Sequence, residues 1–323
     1  MTASSAPLAM VAAANGATEG TARILHGGPI AADIRNSVSA DVRELREQFG
    51  TVPGIAVLLI GDDAASQVYA RRILRNAESV DLPGRLVDLP ASTPTASVAR
   101  ELDRLNDDAS VGGIIVQMPL PDGILLSAII EAIDPRKDID GIHPLNTGNV
   151  ALGYPAFVPS CAEAAVEIPK WYGYMLEGLR ATVIGRSNVV GKPAHLLLMR
   201  AHATVTVCHR RTRDLAGEVR AADLVLVAAG APGLVTGEML KPGALVIDCG
   251  INVVAGEIVG DVDRASAERV AGAMTPVPGG VGPVTNAVLL QHLVRAARAQ
   301  LEAGHRTPDE SGSTASVGLA AAG

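Results

Sequence analysis

The sequence predicts an α/β protein of two domains, each built on a parallel sheet. Three observations carry that expectation. Strand and helix signals alternate along the chain, the alternation stops in a Pro/Gly/Asp/Asn-rich passage, and it restarts on a glycine-bounded strand–turn–helix. Such alternation builds βαβ units, with helices on both faces of a parallel sheet. At 323 residues the chain has the length for two ordinary domains.

In order, Pro29–Gln48 reads as a helix, Ile55–Ile60 as a buried strand and Ser66–Val80 as a second helix. Arg85–Leu89 is a short strand, Ala96–Leu105 a helix and Val111–Gln117 another strand. Asp134–Gly153 is the punctuated passage, after which Ala181–Ile184 is an apolar strand, followed by a turn and a helix to about Ala201. Strands are expected at Thr204–Cys208, Leu224–Ala228 and Leu245–Asp248, forming a second, smaller sheet. A long helix is expected at Val284–Ala303, after the loop Thr275–Pro283. Met1–Thr21 and Arg306–Gly323 lack periodicity and read as disordered tails.

Composition narrows the function. Hydrophobic residues make up 48% and charged residues 19%, enough for sizeable cores. A net charge of −7 and 2% aromatic residues argue against nucleic acid as a partner. Cys161, Cys208 and Cys249 are too few and too scattered for a disulfide framework or a zinc cluster, so no metal is expected. No apolar run reaches the roughly 20 residues of a bilayer span. Met1–Thr21 lacks the basic start and apolar block of a signal peptide, so the expected location is cytoplasmic.

The turn at Gly185 suits a dinucleotide phosphate, because glycines admit the backbone and a helix N-terminus offers free N–H donors. Its spacing is not the usual G-x-G-x-x-G, and a plain βα connection has the same look. The next strand separates two cofactors. An acidic residue at its end suits the free ribose of NAD, and arginine suits the 2′-phosphate of NADP. Here Thr204–Cys208 is followed by His209, Arg210, Arg211 and Thr212, and Arg186 stands in the first turn, which favours NADP.

Four segments together resemble one family. Gly113-Ile-Ile-Val-Gln-Met-Pro-Leu-Pro121 is similar to G-I-L-V-Q-L-P-L-P, and Lys137-Asp-Ile-Asp-Gly-Ile-His-Pro144 to K-D-V-D-G-x-x-P. Gly185-Arg-Ser-Asn-Val-Val-Gly-Lys-Pro193 resembles G-R-S-x-x-V-G-x-P, and Pro276-Val-Pro-Gly-Gly-Val-Gly-Pro283 the P-V-P-G-G-V-G-P loop. They resemble the bifunctional methylenetetrahydrofolate dehydrogenase/cyclohydrolase family, in order from about Ile24 to about Arg298. The resemblance implies a folate-binding α/β domain (residues 22–155 with 284–305, the last helix returning to it) and a Rossmann-type NADP-binding domain (156–283). It also implies a homodimer acting on tetrahydrofolate derivatives. By position, Tyr69, Gln117 and Asp140 would meet the folate, and Gly280, Gly282 and Pro283 would shape the wall beside it. Gly185, Arg186, Ser187, Gly191, His209, Arg210, Arg211 and Ile251 would bind NADP.

The chain departs from the family at one catalytic position. The family helix reads S-x-x-Tyr-x-x-x-Lys, with the lysine as acid/base of the hydrolytic step. Here it reads Ser66-Gln-Val-Tyr69-Ala-Arg-Arg-Ile73. Isoleucine carries no proton, and loss of a general acid/base costs on the order of 10²–10⁴ in rate. Arg72 is the neighbouring candidate, although its guanidinium does not shuttle protons readily. Hydride transfer is chiefly a matter of positioning and is expected to survive. Pro159-Ser-Cys-Ala162 in place of P-C-T-P, His26-Gly-Gly28 in place of D-G-K, and Asn286 are further departures. The expected activity is an NADP-dependent dehydrogenase with a weakened cyclohydrolase. The alternatives are a fully bifunctional enzyme using Arg72 and a non-catalytic folate- or NADP-binding paralogue.

Overall fold

The structure, a computed structural model, describes residues 21–305. The tails expected to be disordered therefore lie outside the described residues, apart from Thr21. The chain runs β1 (Arg23–Ile24), α1 (Gly27–Phe49), β2 (Gly54–Ile60), α2 (Ala64–Glu78), β3 (Gly84–Leu89), α3 (Thr95–Asp107), β4 (Val111–Val116), α4 (Leu126–Glu131) and α5 (Pro144–Leu152). It continues through α6 (Ser160–Trp171), β5 (Arg180–Ile184), α7 (Gly191–Arg200), β6 (Thr204–Cys208), α8 (Leu215–Arg220), β7 (Leu224–Val227) and β8 (Leu245–Asp248). A hairpin of β9 (Asn252–Val254) and β10 (Glu257–Val259) follows, then α9 (Arg264–Ala267), β11 (Ala273–Met274) and α10 (Val281–His305).

The first sheet has the order β3-β2-β4, all parallel. Every residue of the central β2 is buried, as its unbroken apolar run requires of a strand covered on both faces. Alternation then sorts its side chains. Ile55 and Val57 pack with residues of α1, α2 and α10, while Ala56, Leu58 and Ile60 pack with α3 and α4.

The second sheet has the order β1-β11-β8-β7-β5-β6, also parallel. It is the larger of the two, contrary to the sequence reading. Two two-residue strands, β1 and β11, extend it at one edge, where β1 pairs Arg23 with Ala273 and Ile24 with Met274. Strands that short carry no period for a sequence to reveal. The chain leaves β5 toward β6 on one side and returns to β7 on the other, so the sheet's switch point lies where β5 and β7 end.

Helices α1 and α10 tie the two sheets together. Ile30 of α1 and Val284 and Val288 of α10 belong to the core on the second sheet. Val38, Val42 and Leu45 of α1, with Leu290, Leu293 and Ala297 of α10, belong to the core on the first. The last helix thus returns to the first sheet. It begins at Val281, three residues earlier than expected, because a proline in the first turn has no hydrogen bond to lose. For the same reason α5 forms inside the passage read as punctuation: Pro144 opens it and His143 Nδ1 accepts from the Leu145 N–H at 3.0 Å.

Candidate active site

At the switch point, Gly185 has φ 123°, and a Cβ there would stand 2.1 Å from the Ala228 carbonyl oxygen. A Cβ on Gly191 would stand 2.2 Å from the Gly185 carbonyl oxygen. Both positions need glycine so that β5, β7 and the start of α7 can meet. The Ser187 hydroxyl accepts from the Val190 N–H at 3.2 Å and steadies the turn. A cavity of about 380 Å³ opens there, lined among others by Gly185, Arg186, Ser187, His209, Arg210 and Ala229. Five of the expected cofactor residues therefore share one cavity. Gly191 lies behind it. Arg211 and Ile251 are exposed and are not among its lining residues; Ile251 instead precedes the β9–β10 hairpin.

Two buried carboxylates, which the sequence reading missed, anchor the backbone near this cavity, Asp261 holding the Ala229–Ala231 segment that lines it. Asp261 accepts from the N–H groups of Ala229, Gly230 and Ala231 at 2.6, 2.8 and 2.8 Å and from Asn252 Nδ2 at 2.9 Å. Asp248 accepts from the N–H groups of Gly250, Asp261 and Val262 at 2.8, 3.1 and 2.9 Å. Burial pushes Asp248 up to about 6, against the pull of those three bonds. An aspartate ending an apolar strand was the available signal.

The second group of residues gathers at the C-terminal ends of β2 and β4. Asp63 caps α2 by accepting from the Ser66 N–H at 2.7 Å, and the Ser66 hydroxyl donates to the Met118 carbonyl at 3.1 Å. Gln117 is buried and its N–H donates to the Leu58 carbonyl at 2.8 Å. Tyr69 faces outward from α2 and senses Asp140: burial, then the Asp140 charge, push its phenol up to about 12. Asp140 accepts from the Ser160 hydroxyl at 3.0 Å, and burial raises its carboxyl to about 6. Cys161, at the start of α6, hydrogen-bonds Cys249 and Thr285, and the Cys249 contact draws its thiol below the ordinary value.

Ile73, one turn beyond Tyr69, is 1% exposed and belongs to the core containing Val57, Ile115 and Leu290. Arg72 is exposed, with its guanidinium 6.0 Å from the centre of the Tyr69 ring. Gly280 is closed in, since a Cβ would stand 2.6 Å from the Pro276 carbonyl oxygen. Gly282 and Pro283 lie in the first turn of α10, close to Thr285. Gly27 presses on the same loop: its N–H donates to the Gly279 carbonyl at 2.8 Å, and a Cβ would stand 1.9 Å from the Gly280 oxygen. Among the described residues, no group of three His, Cys, Asp or Glu could hold a metal ion.

Comparison with known proteins fits this geometry. The family model described as tetrahydrofolate dehydrogenase/cyclohydrolase, catalytic domain, matches residues 25–140. The NAD(P)-binding domain of the same family matches residues 159–301. The bifunctional protein FolD of Chloroflexus aurantiacus is 46% identical over 282 residues, covering 87% of this chain and 99% of that protein. The crystal structure of the bifunctional enzyme FolD from Campylobacter jejuni superposes with a TM-score of 0.84 at 39% identity, covering 85% of this chain and 98% of the other. The Trypanosoma brucei enzyme, complexed with NADP cofactor and inhibitor, superposes with a TM-score of 0.83 at 36% identity, covering 89% and 99%.

Proposed function

The chain belongs to the tetrahydrofolate dehydrogenase/cyclohydrolase family, and from that premise we propose that it oxidises 5,10-methylenetetrahydrofolate with NADP while its cyclohydrolase step is weakened. One contrast carries the reading: the cofactor cavity keeps its glycines and arginines, but the position of the family lysine is the apolar, buried Ile73.

NADP, when bound, supplies the carbon that accepts the hydride. The residues present fit it. The Gly185 turn admits a phosphate at the backbone, and Arg186 and Arg210 line the cavity as fork-shaped donors for the 2′-phosphate. On the folate side Asp140 would accept hydrogen bonds from the pterin N–H groups, Tyr69 would stack on the ring and Gln117 would line the pocket. Losing a hydride leaves the folate cationic, and an isoleucine beneath it adds no like charge. Oxidation therefore asks for alignment and dryness, both compatible with Ile73. Hydration of the product requires proton movement, which Ile73 cannot supply.

The unit holding the folate is assigned to residues 22–155 with 284–305, and that holding NADP to 156–283. The separate cores on the two sheets support this division, though β1 lends its pairing to the second sheet. Association as a homodimer is supported by exposed apolar residues on and beside the β9–β10 hairpin, Ile251, Val253, Val254 and Ile258. Among the described residues no helix is long and apolar enough to cross a membrane, which accords with a cytoplasmic site of action. Arg72, close to Tyr69, favours as the second reading a residual or full cyclohydrolase activity driven by its charge.

The test supplies methylenetetrahydrofolate with NADP, and separately methenyltetrahydrofolate, and follows absorbance against the uncatalysed rates. NADPH formation without faster hydrolysis is the expected result. Equal acceleration of both reactions would sink the assignment of weakness to Ile73, and loss of the excess hydrolysis in Arg72→Ala would transfer the role to Arg72.

A further inference from the structure

Behind Asp140 lies a polar pair that neither the family motifs nor the proposed chemistry uses. His292, on α10, has its side chain 1% exposed. Its Nδ1 stands 2.8 Å from the Ile139 carbonyl oxygen, and its Nε2 stands 3.0 Å from Oε2 of Glu163 on α6. The Phe157 ring packs beside it, centroids 5.5 Å apart. Ile139 is the residue before Asp140, so the imidazole grips the peptide that carries the folate-facing carboxylate.

We propose that His292 and Glu163 are a positioning pair for the folate site, acting through the Ile139 carbonyl to fix the direction and the charge of Asp140. This rests on Asp140 being the carboxylate that meets the pterin.

Hydrogen-bond chemistry supports it. A carbonyl oxygen only accepts, so Nδ1 carries a proton. Nε2 faces a carboxylate, so a second proton lies between His292 and Glu163. Burial alone would raise the Glu163 carboxyl, yet the His292 hydrogen bond and the charges of His292, Arg295 and Lys170 bring it below its ordinary value. The two side chains therefore share one proton, and His292 is the foremost partner that holds the Glu163 carboxyl below its ordinary value. Asp140 is faced by Ser160 and Cys161 from α6, by Asp138 from its own segment, by Tyr69 from α2 and by His292 from α10. Of the titratable groups among these, only His292 acts on Asp140 in the lowering direction. It offsets part of the burial and Asp138 repulsion that hold Asp140 near 6.

The experiment follows Asp140 directly, by ¹³C NMR of protein labelled at its aspartate carboxyls, with the resonance assigned by its absence from Asp140→Asn. In His292→Asn, where the amide can still hold the Ile139 carbonyl but carries no charge, the Asp140 midpoint should rise by about one unit. Glu163→Gln, at a part-exposed site, should move it in the same direction by less. In the steady state both variants should raise KM for methylenetetrahydrofolate below pH 7, leave KM for NADP unchanged, and shift the acid limb of kcat/KM upward in step with the NMR midpoint. An unmoved Asp140 midpoint in both folded variants would overturn the inference, even if each loses thermal stability. A parent protein without dehydrogenase activity would instead fail the proposed function, and the NMR comparison would still decide this one.

Discussion

Ile73 and Tyr69 stand one turn apart on α2 but in opposite environments: Tyr69 is 39% exposed at the cleft, and Ile73 is 1% exposed in the core beneath it. The helix therefore presents an aromatic at the surface and places a side chain that carries no proton at the next turn.

Replacing Ile73 with lysine should raise the rate of methenyltetrahydrofolate hydrolysis by about 10²-fold or more, because a positioned acid/base contributes on that scale. It should also cost stability, about 1–3 kcal/mol, since an amine replaces a well-packed apolar side chain. Hydrolysis assays and urea unfolding read the two effects. A lysine variant that stays folded and gains no hydrolysis would remove Ile73 from the explanation.

Acid should weaken folate use before it weakens cofactor use. Asp140, raised to about 6 chiefly by burial, loses its charge as pH falls through that value, and kcat/KM for the folate should then fall about tenfold per unit. Asp140→Asn should abolish this limb and cost about 1.5–3 kcal/mol of binding. The stability linkage has the opposite sign. Asp140 and Asp248 hold their protons more tightly folded than unfolded, so their contribution to stability is full below about 4 and is lost as pH rises through about 6. Thermal melts between pH 4 and 7 separate this from the kinetic effect.

Arg186→Ala and Arg210→Ala should each raise KM for NADP by about 10- to 100-fold, the worth of a charge-assisted hydrogen bond, while leaving KM for NAD nearly unchanged. Equal losses with both cofactors would place these arginines away from the 2′-phosphate.

Asp261→Asn should disturb the cofactor wall without touching a reacting atom. An amide offers one acceptor oxygen where three N–H groups and Asn252 converge on a carboxylate. The expected cost is about 2–3 kcal/mol of stability, with weaker NADP binding, measured by unfolding and by titration. Unchanged NADP affinity would show that the Ala229–Ala231 segment does not need its anchor.

Gly27 and Gly28 should respond in opposite ways. Gly27→Ala places a methyl group 1.9 Å from the Gly280 oxygen and should displace the loop beside the folate site, lowering kcat/KM by about tenfold or more. Gly28 has open space at its Cβ, so Gly28→Lys, which restores the family residue, should fold normally. Activity and melting temperature of the two variants check the contrast.

The pattern of the chain specified the two parallel sheets, because buried strands need unbroken apolar runs and the helices between them need a regular period. It also determined the glycine turn at Gly185, since only glycine tolerates φ 123° with a carbonyl 2.1 Å from its missing Cβ. The absence of a lysine after Tyr69 was legible too, as a matter of residue identity and spacing. The rest depends on groups far apart in the chain. Asp261 reaches the Ala229–Ala231 segment, β1 reaches β11, and His292 reaches Ile139 and Glu163 from more than a hundred residues away. No local period or motif encodes such meetings. They arise where α1 and α10 pack both sheets against one junction, and there a buried polar atom must find its partner wherever the fold has brought one.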